Sequence, residues 1–255
     1  MQPHPEPPTV SVITVTYQAA AVLPRTLASV QGQQDVALEH ILIDGASKDA
    51  TPGQIADYAS TAPYPVRWVS EPDRGLYDAM NKGLAMARGQ WVLFLNAGDQ
   101  FYAATTLAEL LRQASPTTDV LYGATMMVDD TGQALGLRSH KRLPAALSWR
   151  HFRQGMVVGH QALLVQRSIA QPYDLQYRCA ADIDWCIRTL RLAKEVRHAG
   201  IIVDRFLEGG VSHTRRKQCL RERWHIIRKH YGLGTALWVH LGIGLRFVLR
   251  GGKMR

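Results

Sequence analysis

The stretch Val10-Ser11-Val12-Ile13-Thr14-Val15-Thr16-Tyr17 decides the fold. It is uncharged, β-branched at most positions and preceded by prolines. A strand with one wet face alternates apolar and polar residues. A run apolar on both parities is a strand covered on both faces, as in a parallel sheet packed between helices. Outward from it, Leu23, Leu27 and Val30 share one face of a helix over 23–31. His40-Ile41-Leu42-Ile43-Asp44 is a second short apolar run, ending on an acid. Thr51 and Pro52 supply a cap and a first-turn residue for a further element. Residues 66–69 form another strand. Residues 76–87 form a helix with Met80, Leu84 and Ala87 in phase, closed by Gly89. Trp91-Val92-Leu93-Phe94-Leu95 then runs into Asn96-Ala97-Gly98-Asp99. Strands alternating with helices predict βαβ units and a mostly parallel α/β sheet. Ligands of such sheets sit beyond the carboxyl ends of the strands. Three strands end in polar groups: Thr16-Tyr17, Asp44, and Asn96 to Asp99.

The second half is less regular. Residues 120–128 and 133–138 read as a hairpin around Asp129-Asp130-Thr131-Gly132. Residues 159–165 are a polar entry to a strand, 182–194 a helix, 201–206 a strand and 220–231 a basic helix. With 255 residues, 46% of them hydrophobic, the chain has material for a full core. Cys179, Cys186 and Cys219 are few and outside metal-ligand spacing, which reads as three core thiols in a reducing cytosol. The Pro-rich start, 1–8, lacks an apolar segment and reads as a disordered lead-in.

Asp99 follows a strand beside Gly98, so its carboxylate is placed to reach a metal that bridges two phosphates; a plain Asn-x-Gly-Asp turn is the alternative. Asp44 is either an acceptor for a nucleobase or ribose, or a loop-facing acid. Tyr17 either stacks on a base or fills core. The densest polar segment is Glu71-Pro72-Asp73-Arg74-Gly75-Leu76-Tyr77-Asp78, in which Arg74 is a phosphate or base ligand or part of a solvated loop.

In order and spacing, the segments 12–17, 42–49, 71–83 and 94–99 resemble the family 2 glycosyltransferases, with bacterial enzymes of exopolysaccharide, capsule and lipopolysaccharide assembly as look-alikes. The resemblance spans about residues 9–215. It implies a GT-A (Rossmann-like) fold, a nucleotide-diphosphate-sugar donor carrying UDP or GDP, a divalent Mg²⁺ or Mn²⁺ ion, and inversion at the anomeric carbon. By position, Thr16, Tyr17, Asp44, Asp73 and Arg74 line the nucleotide pocket. The family's acidic metal motif falls on Asn96 to Asp99. Asn96 and Gly98 stand where acids are usual, so Asp99 carries most of the metal contact with Asn96 as a neutral helper. Ala180-Ala181-Asp182-Ile183-Asp184-Trp185 resembles the later acidic motif, which makes Asp182 the base for the acceptor hydroxyl, or else only a helix cap. His160 and Gln161 match a position near the acceptor, with a satisfied core histidine as the alternative. Ser212 and His213 match a late segment that covers the donor phosphates.

The net charge is +9 and its basic residues crowd the C-terminal third: Arg215, Arg216, Lys217, Arg221, Arg223, Arg228 and Lys229. An apolar stretch over 233–249 follows, interrupted by Arg246 and marginal for a bilayer span. The expected division is a domain over 9–214 and a helical tail over 215–255 that lies on an anionic membrane surface. A helix packed on the domain is the alternative. The expected setting is cytoplasmic, peripheral on the inner face of the membrane, with a polyprenyl-linked glycan as acceptor by resemblance. A nucleic-acid-binding module fits the charge but not the motifs: there is no zinc or helix-turn-helix pattern. A catalytically silent nucleotide-sugar-binding protein is the other alternative, suggested by Asn96 and Gly98.

Overall fold

The computed structural model describes residues 8–138, 143–209 and 215–249. Its first half is the alternation read above: β1 (Val10–Thr16), α1 (Leu23–Gln31), β2 (Leu38–Asp44), α2 (Thr51–Thr61), β3 (Val66–Ser70), α3 (Leu76–Met86) and β4 (Trp91–Phe94). β1 lies between β2 and β4, parallel to both, and β3 extends the sheet parallel to β2. Every residue of β1, β2 and β4 is buried, as a doubly covered parallel sheet requires. Leu42 packs with Leu23, Leu27, Ile55 and Tyr58 on one side, while its neighbours Ile41 and Ile43 join the main core with Met80 and Phe94 on the other. Gly83 of α3 lies against Ile13, where a Cβ would overlap the isoleucine side chain. Gly89 is not the helix stop expected of it. α3 is capped at Ala87, and Gly89 instead meets the backbone of Ser11, donating its N–H to Ser11 Oγ at 2.8 Å.

The second half comprises β5 (Gln100–Phe101), α4 (Thr106–Arg112), β6 (Val120–Val128), β7 (Ala134–Leu137), β8 (Leu163–Gln166), α5 (Ala181–Leu192), β9 (Val196–Leu207), α6 (Arg216–Tyr231) and α7 (Leu233–Leu249). The strand order is β3-β2-β1-β4-β8-β6-β9-β5, with β7 on β6. β8 is antiparallel to both β4 and β6, and β9 is parallel to β6. The expected hairpin forms between β6 and β7, its turn tied by Asp129 Oδ1, which accepts the N–H groups of Thr131 and Gln133. This mixed α/β sheet with flanking helices is the expected fold class.

α6 is bound into the domain. The side chain of Glu222 accepts the N–H groups of Arg178, Cys179 and Ala180, on the loop that enters α5, at 2.9–3.0 Å. One helical turn earlier Cys219 is joined to Cys179 by a disulfide. The expectation of three separate thiols therefore holds only for Cys186, which is buried and free; packing α6 over the α5 entry brings the other two sulfurs together across 40 residues. Asp184, fully buried in α5, meets Arg188 at 2.6 Å, His230 at 2.7 Å and Lys229 at 3.1 Å. Burial alone would raise its pKa, but these partners hold it well below the usual carboxylate range. Among the described residues no helix is long and apolar enough to cross a membrane.

Candidate active site

A cleft of about 910 Å³ opens at the carboxyl ends of β1 and β4. Thr16, Tyr17, Asp73, Arg74, Asn96, Asp99, His160, Gln161 and Asp182, all singled out from the sequence, line it. The register explains the convergence: Thr16 pairs with Asp44, so β1 and β2 end level, while β4 ends at Phe94 opposite Ile13 and the chain after it runs on beside β1, with Ala97 N–H donating to the Val15 carbonyl.

On the first wall, Tyr17 stands 64% exposed at the mouth. Asp73 turns into its own loop, with Oδ1 accepting the Gly75 N–H at 2.7 Å. Gly45 gives Tyr17 and Asp73 room, because a Cβ there would come within 2.7 Å of Asp73 Oδ2. Arg74 is 75% exposed and paired with Asp78. Thr16 Oγ1 is buried without a hydrogen-bond partner. Asp44 departs from the expectation. It is fully buried and does not line the cleft. Its carboxylate accepts from Ser47 N and Oγ and from Ser70 Oγ, so it shapes the loop beneath Tyr17 instead of facing a ligand.

The deep end holds the acids. Asp99, 4% exposed, accepts the Leu207 N–H on Oδ1 at 3.1 Å and Gln161 Nε2 on Oδ2 at 3.2 Å. Burial, and then the neighbouring Asp204, push its pKa up to about 8. Burial raises Asp204 itself to about 7. Asn96 Oδ1 is buried with no partner, while its amide nitrogen lies 3.4 Å from His160 Nε2. A carboxylate costly to ionise beside an orphaned amide oxygen suits a hard divalent cation, which takes oxygen ligands and keeps positions for water and phosphate. Among the described residues no cluster of three or more His, Cys, Asp or Glu is arranged to hold a metal without such outside ligands.

Asp182 begins α5 on the second wall, its side chain 22% exposed. Oδ1 accepts the Tyr77 hydroxyl at 3.3 Å and Oδ2 lies 3.9 Å from His160 Nδ1. Burial raises its pKa. His160 is held neutral, its pKa pushed down to about 3 by burial and then by Arg138. With Nε2 facing an amide donor, its ring proton belongs on Nδ1, toward Asp182. Arg138 was not anticipated. It follows β7, enters the cleft and lies over the Phe206 ring at 4.8 Å. Nothing in a hairpin pattern says where the strand's last side chain will point. Tyr77 and Asp204 were likewise hidden inside a helix pattern and a strand pattern. Ser212 and His213 lie outside the described residues.

The comparisons with known proteins agree with this geometry. Residues 11–170 match the family model described as Glycosyl transferase family 2. A PGL/p-HBAD biosynthesis glycosyltransferase of Mycobacterium bovis is 32% identical over 250 residues, covering 95% of this chain and 90% of its own. The succinoglycan biosynthesis protein ExoO of Rhizobium meliloti is 31% identical over 125 residues, 48% of this chain and 33% of its own. Among solved structures, S. aureus TarS 1-349 in complex with UDP-GlcNAc superposes with a TM-score of 0.64 at 16% identity, covering 88% of this chain and 67% of that one. The mannosyltransferase PcManGT of Pyrobaculum calidifontis, in complex with GDP-Man and Mn²⁺, superposes with a TM-score of 0.65 at 18% identity, covering 93% and 71%. Both share the GT-A fold with this chain. The family's matched span contains the first wall, Asp99 and His160, and by that match the chain belongs to glycosyl transferase family 2.

Proposed function

We propose that this glycosyltransferase moves a sugar, with inversion, from a UDP- or GDP-sugar to a hydroxyl of a lipid-linked glycan in bacterial surface polysaccharide synthesis. The observation that carries it is one cleft with Thr16, Tyr17, Asp73 and Arg74 at one side and two acids, buried Asp99 and half-buried Asp182, at the other. Asp182 takes the proton of the acceptor hydroxyl. That oxygen bonds to the anomeric carbon while the carbon–phosphate-oxygen bond breaks, and the diphosphate leaves with the electron pair. The Tyr77 hydroxyl, donating to Oδ1, keeps the Asp182 carboxylate aimed into the cleft, and neutral His160 stands beside Oδ2 without adding charge. Asp99, helped by Asn96, would hold a divalent Mg²⁺ or Mn²⁺, whose charge would offset that of a leaving diphosphate. Calorimetry with UDP and GDP, with and without Mn²⁺, tests the proposal. Metal-aided binding of one nucleotide is expected, and binding of neither would overturn it.

A membrane surface at the cytoplasmic inner face is proposed as the setting. Leu233, Leu237, Trp238 and Leu241 are 48–72% exposed along α7, and Lys217, Arg221 and Arg228 are exposed along α6. Apolar side chains beside cations suit an anionic interface. Other basic residues expected there serve elsewhere: Lys229 pairs with Asp184 and Asp174, Arg223 donates to the Gln154 carbonyl, and Arg215 faces the cleft. The double substitution Trp238→Glu, Leu241→Glu should cut sedimentation with anionic liposomes by about tenfold or more. Unchanged sedimentation would reject this setting.

A further inference from the structure

A second cavity, of about 640 Å³, adjoins the cleft. It exists because the β6–β9 ladder breaks. Tyr122 pairs with His198 and Ala124 with Ile202, so two residues of β6 oppose four of β9 across that step. Gly200 takes up the surplus at φ +74°, and Gly123 lies where a Cβ would strike the Ile201 carbonyl. The opened space is bounded mainly by Leu137, Leu143, Val157, Val158, Ile201 and Ile202.

The polar groups on that wall are few and already engaged. The Thr125 hydroxyl donates to Asp204 Oδ1 at 2.7 Å. The His198 ring lies against Tyr122, with centroids 5.0 Å apart. Arg138 belongs to both cavities. Its guanidinium lies against Gly159, 3.0 Å from where a Cβ would stand, and the next residue, His160, faces Asp182 in the cleft. Among the described residues, the apolar space and the reaction centre therefore meet at the Arg138–Gly159 junction. The volume is that of a ligand site, and an apolar wall of this size favours an apolar occupant over water.

We propose that this second cavity is the aglycone site of the acceptor: it takes the apolar group, aryl or isoprenoid, attached to the accepting sugar. The sugar then crosses the Arg138–Gly159 junction and presents its hydroxyl to Asp182. This deepens the transferase reading above and rests on it. A polar acceptor lacking such a group loses the contact and binds as a bare sugar.

Calorimetry tests it on the full chain saturated with whichever of UDP or GDP binds. The probes are 4-nitrophenyl β-D-glucopyranoside and methyl β-D-glucopyranoside, which differ only in the apolar group. The aryl glycoside should bind about tenfold tighter than the methyl glycoside. Ala145→Trp fills the cavity and Leu137→Glu places a charge in it. Both positions are exposed, so folding tolerates the changes, and neither lines the nucleotide cleft. Each should bring the aryl glycoside to within about twofold of the methyl glycoside while the nucleotide Kd stays the same. Equal binding of the two glycosides by the wild type, or aryl binding unchanged in both variants, overturns the aglycone site. Failure of both nucleotides to bind marks instead the failure of the transferase reading.

Discussion

The two walls of the cleft are built by different means. The wall proposed for the nucleotide hangs from the ends of β1, β2 and β3, three neighbouring parallel strands in register. The wall that carries Asp182 rests on contacts between distant parts of the chain: Gln161 with Asp99, Tyr77 with Asp182, and Glu222 with the loop before α5. Strand ends place the first wall, with side-chain hydrogen bonds confined to its own loops, such as Asp44 with Ser47 and Ser70. The second depends on single hydrogen bonds, and so single substitutions should damage catalysis more than donor binding.

The sharpest way to break that contrast is Asp182→Asn. An amide cannot accept the hydroxyl proton, so turnover should fall by about 10²–10⁴-fold with the nucleotide Kd unchanged. Retained turnover removes Asp182 as the base, and lost nucleotide binding merges the two walls into one. Glu222→Ala probes the same wall from behind. It strips three N–H groups of a buried acceptor, and should lower stability by about 3 kcal/mol and kcat more than donor affinity. Glu222→Gln, which keeps an acceptor oxygen, should recover part of the kcat; a merely structural role would leave kcat per folded molecule unmoved in both variants.

Smallest per step is the expected effect of pH. Folded Asp99 is raised to about 8, above its unfolded value of roughly 4. The folded state therefore holds an extra proton between those values, and the metal-free protein should lose stability as pH rises through that window, by up to about 1.4 kcal/mol per pH unit. A bound cation requires the ionised form. The rise in melting temperature caused by Mn²⁺ should therefore grow from pH 6 to pH 8 and level off above it. A rise independent of pH would place the metal away from Asp99.

The same contrast explains what could be read in advance. Periodicity revealed β1 to β4 and their helices, because buried parallel strands carry their signal locally. Strand ends located Asp99, and the family resemblance Asp182, but neither told that Asp204 would crowd Asp99, which depends on β5–β9 pairing, or that Arg138 would enter the cleft, which depends on where the β6–β7 hairpin delivers the chain. Asp44 shows the opposite failure. Its position at a strand end was legible, but the direction of its side chain was settled by Ser47 and Ser70. β5 has two residues and α4 seven, too short to leave a period.

The carboxylate of Glu222 has a consequence for how this molecule can change over generations. A tail that only anchored the protein would be modular, free to be exchanged for another with a different address. Here the helix bearing the exposed cations also grips, by Glu222 and by the Cys179–Cys219 bond, the loop that aims Asp182. A tail borrowed from a relative would bring its own residue to that grip, so each new address would also be a new trial of the reaction.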